Sequence, residues 1–365
     1  MTAHRTGTNN DDLRIQPLTL APDVIARFIA EVYDSYGHGT SFVPRWTAAF
    51  LDRVVFKNPL STPDHALAAY AGDRLVGIIM AQPHEVWIGQ RRHRAAYSSW
   101  LAVTREGARQ FAALQLVNAL RDRLQAQGVE VIFGLAYRSG QSVGLNFWEG
   151  FARAFPTDVT VGPDLKFWSR VLDGRAFAKG VKSPLLRVGA YASYVRPVMQ
   201  PAADPAIRPF ADADFEACAA IMEAAGTAGT SDMRIAPSRW ELACADAADQ
   251  GPQTLVMHGP DGPAAFGSYH ILPMEDAGPM RVAMIELLNA RHGTRGIGRM
   301  LRHVLGHAKA SGASLAVIPR KPHLSTPFML AAGFVPYEAG FKMLYLPLAD
   351  SVPPQMPTQF DMLVR

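Results

Sequence analysis

Ala290-Arg291-His292-Gly293-Thr294-Arg295-Gly296-Ile297-Gly298-Arg299-Met300-Leu301 joins two stretches of different periodicity. Before it, residues 280–289 are apolar at nearly every position, as in a strand buried on both faces. After it, residues 297–311 carry apolar side chains at helical spacing and stop at Gly312. Glycines at 293, 296 and 298 let a backbone approach a ligand and take torsions closed to other residues. The free N–H groups of the next helix's first turn, with the helix dipole, favour an anion. Arg291, Arg295 and Arg299 add positive charge around that turn. A surface turn with solvated arginines is the plainer alternative, because a lone Gly-x-Gly is a weak signal. The strand before and the helix after favour phosphate binding.

This strand–turn–helix is one part of an order that occurs twice. The second half reads as a strand at 206–210, then a helix capped by Asp212 or Asp214 and another near Pro237. A hairpin of 254–258 and 264–271 follows, then the strand 280–289, the helix 297–311, a strand at 314–319, a helix at 327–332 and a strand at 340–346. The first half reads as a strand at 13–18, helices at 23–36 and 44–55, and strands at 66–70, 75–80 and 95–103. A helix at 109–127, a strand at 129–137, a helical stretch at 146–152 and a strand at 165–171 complete it. The pattern predicts α/β architecture in two units, 13–174 and 206–348. A polar tail (1–12), a connecting segment (175–205) and a C-terminal tail (349–365) flank them. Phe360, Met362, Leu363 and Val364 predict that the last tail docks.

Composition agrees. A length of 365 residues suits two domains, and 48% apolar residues suit real cores. A formal charge of +4 is too mild to predict a nucleic-acid partner and suits a small anion equally well. The absence of a long apolar run or signal sequence predicts no membrane partner and a cytoplasmic location. Cys218 and Cys244 support neither a disulfide framework nor a zinc site. His303 and His307 share a helix face without a third ligand, so no metal is expected and both are expected to be solvated.

On Arg295, Gly296 and Gly298, and on the element order of each half, the chain resembles the GNAT superfamily of acyl-CoA-dependent N-acyltransferases. Gly293 stands where that family has Arg or Gln. The resemblance covers nearly the whole chain. It implies two GNAT-like domains, each a mixed, largely antiparallel twisted sheet flanked by helices. It also implies acetyl-CoA or another acyl-CoA as co-substrate, lying between strands 280–289 and 314–319. The pyrophosphate would rest on Gly293, Thr294, Arg295, Gly296, Ile297 and Gly298, with Arg291 and Arg299 beside it. The backbone of Leu287 and Leu288 would pair with the pantetheine arm.

The corresponding stretch of the first half is Trp100-Leu-Ala-Val-Thr-Arg-Glu-Gly-Ala-Arg-Gln-Phe-Ala-Ala-Leu-Gln-Leu116. Arg109, Ala112 and Leu114 occupy the positions of the family's Arg, Gly and Gly, and Leu114 puts bulk where backbone should meet phosphate. With Ala136-Tyr-Arg-Ser-Gly140 and Asn146-Phe-Trp148, this stretch is similar to the cofactor-binding half of N-myristoyltransferases, tandem GNAT proteins with a glycine-poor loop. That similarity implies a longer acyl-CoA in the first half. A structural remnant is the alternative.

N-acylation requires an amine that has lost its proton, a polarised thioester carbonyl and a stabilised leaving thiolate. Glu286 is the candidate base, a carboxylate in an apolar strand; alternation puts it on one face with Val282, Met284 and Leu288. A structural carboxylate, paired with an arginine or backbone N–H groups, is an equal alternative. The family often places a tyrosine four residues before a Gly-Phe pair. Gly333-Phe334 matches the pair, but the position holds Met329. Tyr337, Tyr345 or His323 could substitute as the acid, and His270, at a strand end, could line the acceptor site. The leading expectation is an acetyltransferase acting on a small-molecule or peptide amine, with the cleft between the halves shaping the acceptor site. The alternatives are a non-catalytic acyl-CoA-binding or interaction protein, and a first-half-active long-chain acyltransferase.

Overall fold

The computed structural model describes residues 13–36, 43–137, 143–191, 197–199, 201–228, 233–243, 253–291, 293–358 and 360–361. The first half forms β1 (Leu13–Pro17), α1 (Pro22–Tyr36), β2 (Val43–Pro44), α2 (Ala48–Leu51), β3 (Ala66–Ala71), β4 (Arg74–Ile88), β5 (Arg91–Val103), α3 (Arg105–Arg109), α4 (Ala112–Ala126), β6 (Val131–Tyr137), α5 (Val143–Ala154) and β7 (Thr160–Val171). Helices α6 (Gly174–Gly180) and α7 (Pro184–Tyr191) follow in the connecting segment. The second half forms β8 (Ile207–Pro209), α8 (Phe215–Ala228), β9 (Met233–Ile235), α9 (Arg239–Leu242), β10 (Gln253–Gly259), β11 (Gly262–Glu275), β12 (Pro279–Ala290), α10 (Gly293–Ala310), β13 (Leu315–Pro319), α11 (Thr326–Ala331), β14 (Val335–Pro347) and β15 (Phe360–Asp361).

The strands join into one mixed, mostly antiparallel sheet with helices on both faces. Its main path is β1-β3-β4-β5-β6-β14-β7-β13-β12-β11-β10-β8. The closing strands of the two halves interleave in it. β14 pairs with β6 from Phe341↔Tyr137 to Pro347↔Val131, and β7 lies between β14 and β13. The edges of β6 and β7 are thereby covered by strands of the second half.

Helices α4 and α5 pack Leu116, Leu120, Leu124 and Phe151 over the first half. Helix α10 packs Met300, Leu301, Val304 and Leu305 over the second. Helices on the other side cross between halves. Ile25 and Ile29 of α1 and Phe50 of α2 share a core with Leu272, Met280, Val282 and Met284. Cys218 and Ile221 of α8 share one with Val86, Ala95, Tyr97 and Phe133. The C-terminal tail is docked through residue 361, since Phe360 and Asp361 pair in parallel with Met233 and Arg234. Arg365 and Cys244 lie outside the described residues.

Candidate functional site

Each half opens a cleft in the same way. β12 pairs in parallel with β13 only from Val282↔Leu315 to Met284↔Val317. β5 pairs in parallel with β6 only from Ala95↔Val131 to Ser98↔Gly134. At that point each long strand carries a β-bulge. Ser268 faces Leu287 and Tyr269 faces Ile285, which leaves Glu286 as the extra residue of β12. Met80 faces Trp100 and Ala81 faces Ser98, which leaves Ser99 as the extra residue of β5. A bulge bends and twists its strand, so β12 and β5 swing away from their parallel neighbours. Gly134 belongs to this device, because a Cβ there would stand 1.9 Å from the Ser98 carbonyl oxygen. The bulge also breaks the alternation. Val282 and Met284 face α1 and α2, but Leu288 has moved to the face covered by α10.

The second cleft, between β12 and β13, is filled by its own chain. The His323 Nε2–H donates to the Leu288 carbonyl at 2.9 Å, and burial lowers the His323 pKa and favours the neutral ring. Lys321, buried at 3% exposure, holds Asp361 of β15 across the cleft mouth. Leu287 is buried and, with Asn289, Arg234 and Asp361, lines a small pocket there.

The glycine stretch is helical rather than a loop. Helix α10 begins at Gly293, whose φ of +63° closes the connection from β12. Gly296 lets the helix pack close on Ala290 (3.0 Å from a would-be Cβ), Gly298 packs on Phe328, and Ile297 is core. The Arg291 N–H donates to the Ala264 carbonyl. The Arg299 guanidinium is tied to Asp204, and His303 approaches the same carboxylate at 3.7 Å. Arg295 is exposed, and the first turn holds no acidic residue. The side chain of Thr294 lies outside the described ones. Of the pair expected to be solvated, His307 is exposed, with its ring 2.5 Å from the Tyr269 hydroxyl, and His303 is half-buried.

In the first cleft, between β5 and β6, no side chain among the described residues bonds the backbone of residues 100–102. Tyr36 donates to the Val103 carbonyl at 2.9 Å, at the far end. The helix expected at 109–127 forms as α4 (Ala112–Ala126), and the short α3 (Arg105–Arg109) precedes it. Phe111, with φ 58° and 69% exposed, is a left-handed N-cap with no side-chain capping bond to α4, whose first turn holds no acidic residue. Left-handed backbone is rare for a bulky residue. Leu135 of β6 and Tyr337 and Phe341 of β14 are partly buried against the core beneath α1 and α2, and Tyr137 packs on Phe341 at 4.9 Å.

Two candidate catalytic residues meet. Glu286 Oε1 lies 3.4 Å from His270 Nδ1, and both side chains are sealed from solvent. His270 lies within β11 rather than at its end, and its ring packs on Phe50 of α2 (5.5 Å). A second buried group of this kind occurs between the halves. Gln82 Nε2–H donates to Glu241 Oε1 at 2.9 Å, and His84 Nδ1 lies 3.5 Å from that oxygen. Tyr337 is not brought to Glu286. It faces Phe167 on β14, two strands removed from β12, and burial followed by nearby Tyr137 raises its phenol pKa. Tyr345 donates to the Pro353 carbonyl, and Met329 is core. Among the described residues no cluster could hold a metal, and no helix is long and apolar enough to cross a membrane.

No family model matches the sequence, and no curated protein matches it. Solved structures do match. Saccharomyces cerevisiae N-myristoyltransferase with bound myristoyl-CoA superposes with a TM-score of 0.69 at 12% identity, covering 92% of this chain and 82% of that one. The same enzyme with myristoyl-CoA and inhibitors gives 0.68 at 12% identity, covering 92% and 80%. A GCN5-related N-acetyltransferase from Kribbella flavida gives 0.50 at 13% identity, covering 92% and 70%. The chain has the GNAT fold. In a GNAT fold the splayed parallel strands are the shared feature, and this chain builds that feature twice.

Proposed function

We propose that the protein is an acyl-CoA-dependent N-acyltransferase that takes its acyl donor in the first cleft, between β5 and β6. The observation that carries this reading is the difference in occupancy. The Leu288 carbonyl of the second cleft is already bonded by His323, while residues 100–102 of the first pair with β4 alone and leave the side toward β6 open. The uncapped start of α4 at Phe111 supplies free N–H groups for a pyrophosphate. Apolar Leu135, Tyr337 and Phe341, on β6 and its neighbour β14, would suit an acyl chain longer than acetyl. The similarity to an N-myristoyltransferase holding myristoyl-CoA supports the same choice. In the reaction the amine nitrogen attacks the thioester carbon, the C–N bond forms, the C–S bond breaks and CoA leaves as thiolate. Backbone N–H groups beside the β5 bulge would polarise the carbonyl. The acceptor is a small-molecule or peptide amine, and Glu286 with His270 supports the wall of its site rather than reaching solvent.

A second reading sets the pyrophosphate on Gly293–Gly298. The glycines, the exposed Arg295 and an acid-free first turn of α10 favour it. Calorimetric titration with acetyl-CoA and myristoyl-CoA separates the two. Phe111→Glu and Arg295→Glu each put a carboxylate at one helix start, on exposed positions. The first reading expects tighter binding of myristoyl-CoA, a loss of tenfold or more in Phe111→Glu and less than twofold in Arg295→Glu. The opposite pattern would move the donor to α10, and no binding by the wild type would sink both.

A further inference from the structure

The connecting segment carries a surface that acyl transfer does not use. Helix α7 exposes Leu185 (80%), Leu186, Val188 (68%) and Tyr191, and Met199 follows at 74%. Five of the eleven exposed large apolar residues described in the chain fall within these fifteen positions. Of α7 only Ala190 is buried, so the helix lies on the molecule with its apolar side chains outward. Leu185, Val188 and Tyr191 recur every three residues and form one stripe.

The charge of the segment says what covers it. Residues 173–199 hold Arg175, Lys179, Lys182, Arg187 and Arg196 against the single acid Asp173. That net +4 equals the formal charge of the whole chain, 36 basic less 32 acidic residues, so the remaining residues sum to zero. The Asp173 carboxylate is engaged in capping α6 through the Ala176 N–H, and Lys182 is spanned to Asp276. Arg175, Lys179 and Arg187 are exposed beside the apolar stripe. Exposed apolar side chains flanked by a concentrated positive charge match a surface that is apolar beneath and anionic at its face. A protein partner of neutral or basic character would leave this charge unanswered.

We propose that the α6–α7 segment docks the protein on anionic lipid bilayers, with Leu185, Val188 and Tyr191 entering the headgroup boundary and Arg175, Lys179 and Arg187 facing the lipid phosphates. This is peripheral attachment, which the apolar-run criterion for spanning segments does not register. The test is co-sedimentation of the full chain with vesicles of phosphatidylcholine alone or with about a third phosphatidylserine, a composition set by the surface charge required. Wild type is expected to pellet with the anionic vesicles, at least tenfold more than with neutral ones, and to be released by high salt. Leu185→Ser/Val188→Ser and Arg175→Glu/Lys179→Glu are each expected to lose most of that binding with unchanged melting temperature, since all four side chains are exposed. Absence of binding to anionic vesicles overturns the proposal, as does binding that neither double variant changes. A dimer in sedimentation velocity that Leu185→Ser/Val188→Ser dissolves, without vesicle binding, would assign the stripe to a second copy of this chain and overturn it equally.

Discussion

The cleft between β5 and β6 and the cleft between β12 and β13 are made by one device, a bulge at the last parallel pair, yet they have different contents. In the second, His323 bonds the Leu288 carbonyl and Lys321 anchors β15 over the mouth. In the first, residues 100–102 pair with β4 alone, and the adjoining helix opens on a left-handed, uncapped Phe111. On the first-cleft reading proposed above, glycine content alone does not mark the half that binds. The glycines of α10 serve close helix–strand packing against Ala290 and Phe328. The glycine-poor stretch reaches an open helix start by backbone strain instead.

The largest expected effect tests the bulges. Gly134→Val forces a Cβ onto the Ser98 carbonyl and should lower stability by more than about 4 kcal/mol or prevent folding. Ile318, one residue beyond the Met284↔Val317 pair and so in the corresponding place, should cost about 2–4 kcal/mol as Ile318→Ala, an ordinary cavity. Denaturant melts that give equal losses would break the comparison.

The next effect is acid sensitivity. His65 is 3% exposed, accepts the Thr62 N–H at 3.1 Å, and burial pushes its pKa down to about 4. A depressed folded pKa means that the neutral ring stabilises the fold above about pH 6.5. That stability is lost as pH falls toward 4, by up to about 3 kcal/mol. His323 shifts in the same direction. Melts from pH 7 to 4 should show the loss, and His65→Leu should flatten the slope. A slope unchanged in that variant would rule out His65 as its source.

Glu286→Gln should cost about 1–3 kcal/mol by weakening the buried contact with His270, while turnover per folded molecule stays within a few-fold. Abolished turnover with an unchanged melt would restore Glu286 as the base. The smallest effect belongs to His323→Ala. Removing one hydrogen bond to Leu288 should cost about 1 kcal/mol and leave acyl-CoA affinity unchanged. Tighter binding would show that His323 blocks a competent second site.

Much of this architecture is readable in the sequence. The doubled order of elements and the long strand before α10 follow from apolar periodicity, while the splayed strands at 280–289 and 314–319 are what the family resemblance implies. Local patterns could not show β14 crossing to β6, because pairing partners two hundred residues apart leave no mark on either strand's alternation. The β4–β5 hairpin runs further than its apolar core suggests. Pro83 and the run Arg91, Arg92 and Arg94 hide it, yet Glu85 faces Arg94 and pairs with Arg92 in a regular ladder. Glu286 was visible as an odd carboxylate, but its partner His270 and its burial depend on the bulge, which also carries Leu288 to the opposite face. The left-handed Phe111 had no signal, since such positions usually announce themselves by glycine.

The interleaved closing strands also bear on how the chain comes into being. During synthesis β6 and β7 emerge long before β13 and β14, so β6 must wait with one edge unpaired and β7 with both. Until the last strands arrive, the nascent chain presents these unpaired edges flanked by apolar side chains. Completion of the sheet thus waits on translation of the second half, and a ribosome stalled before residue 335 would leave a product that sticks to others rather than a smaller folded protein.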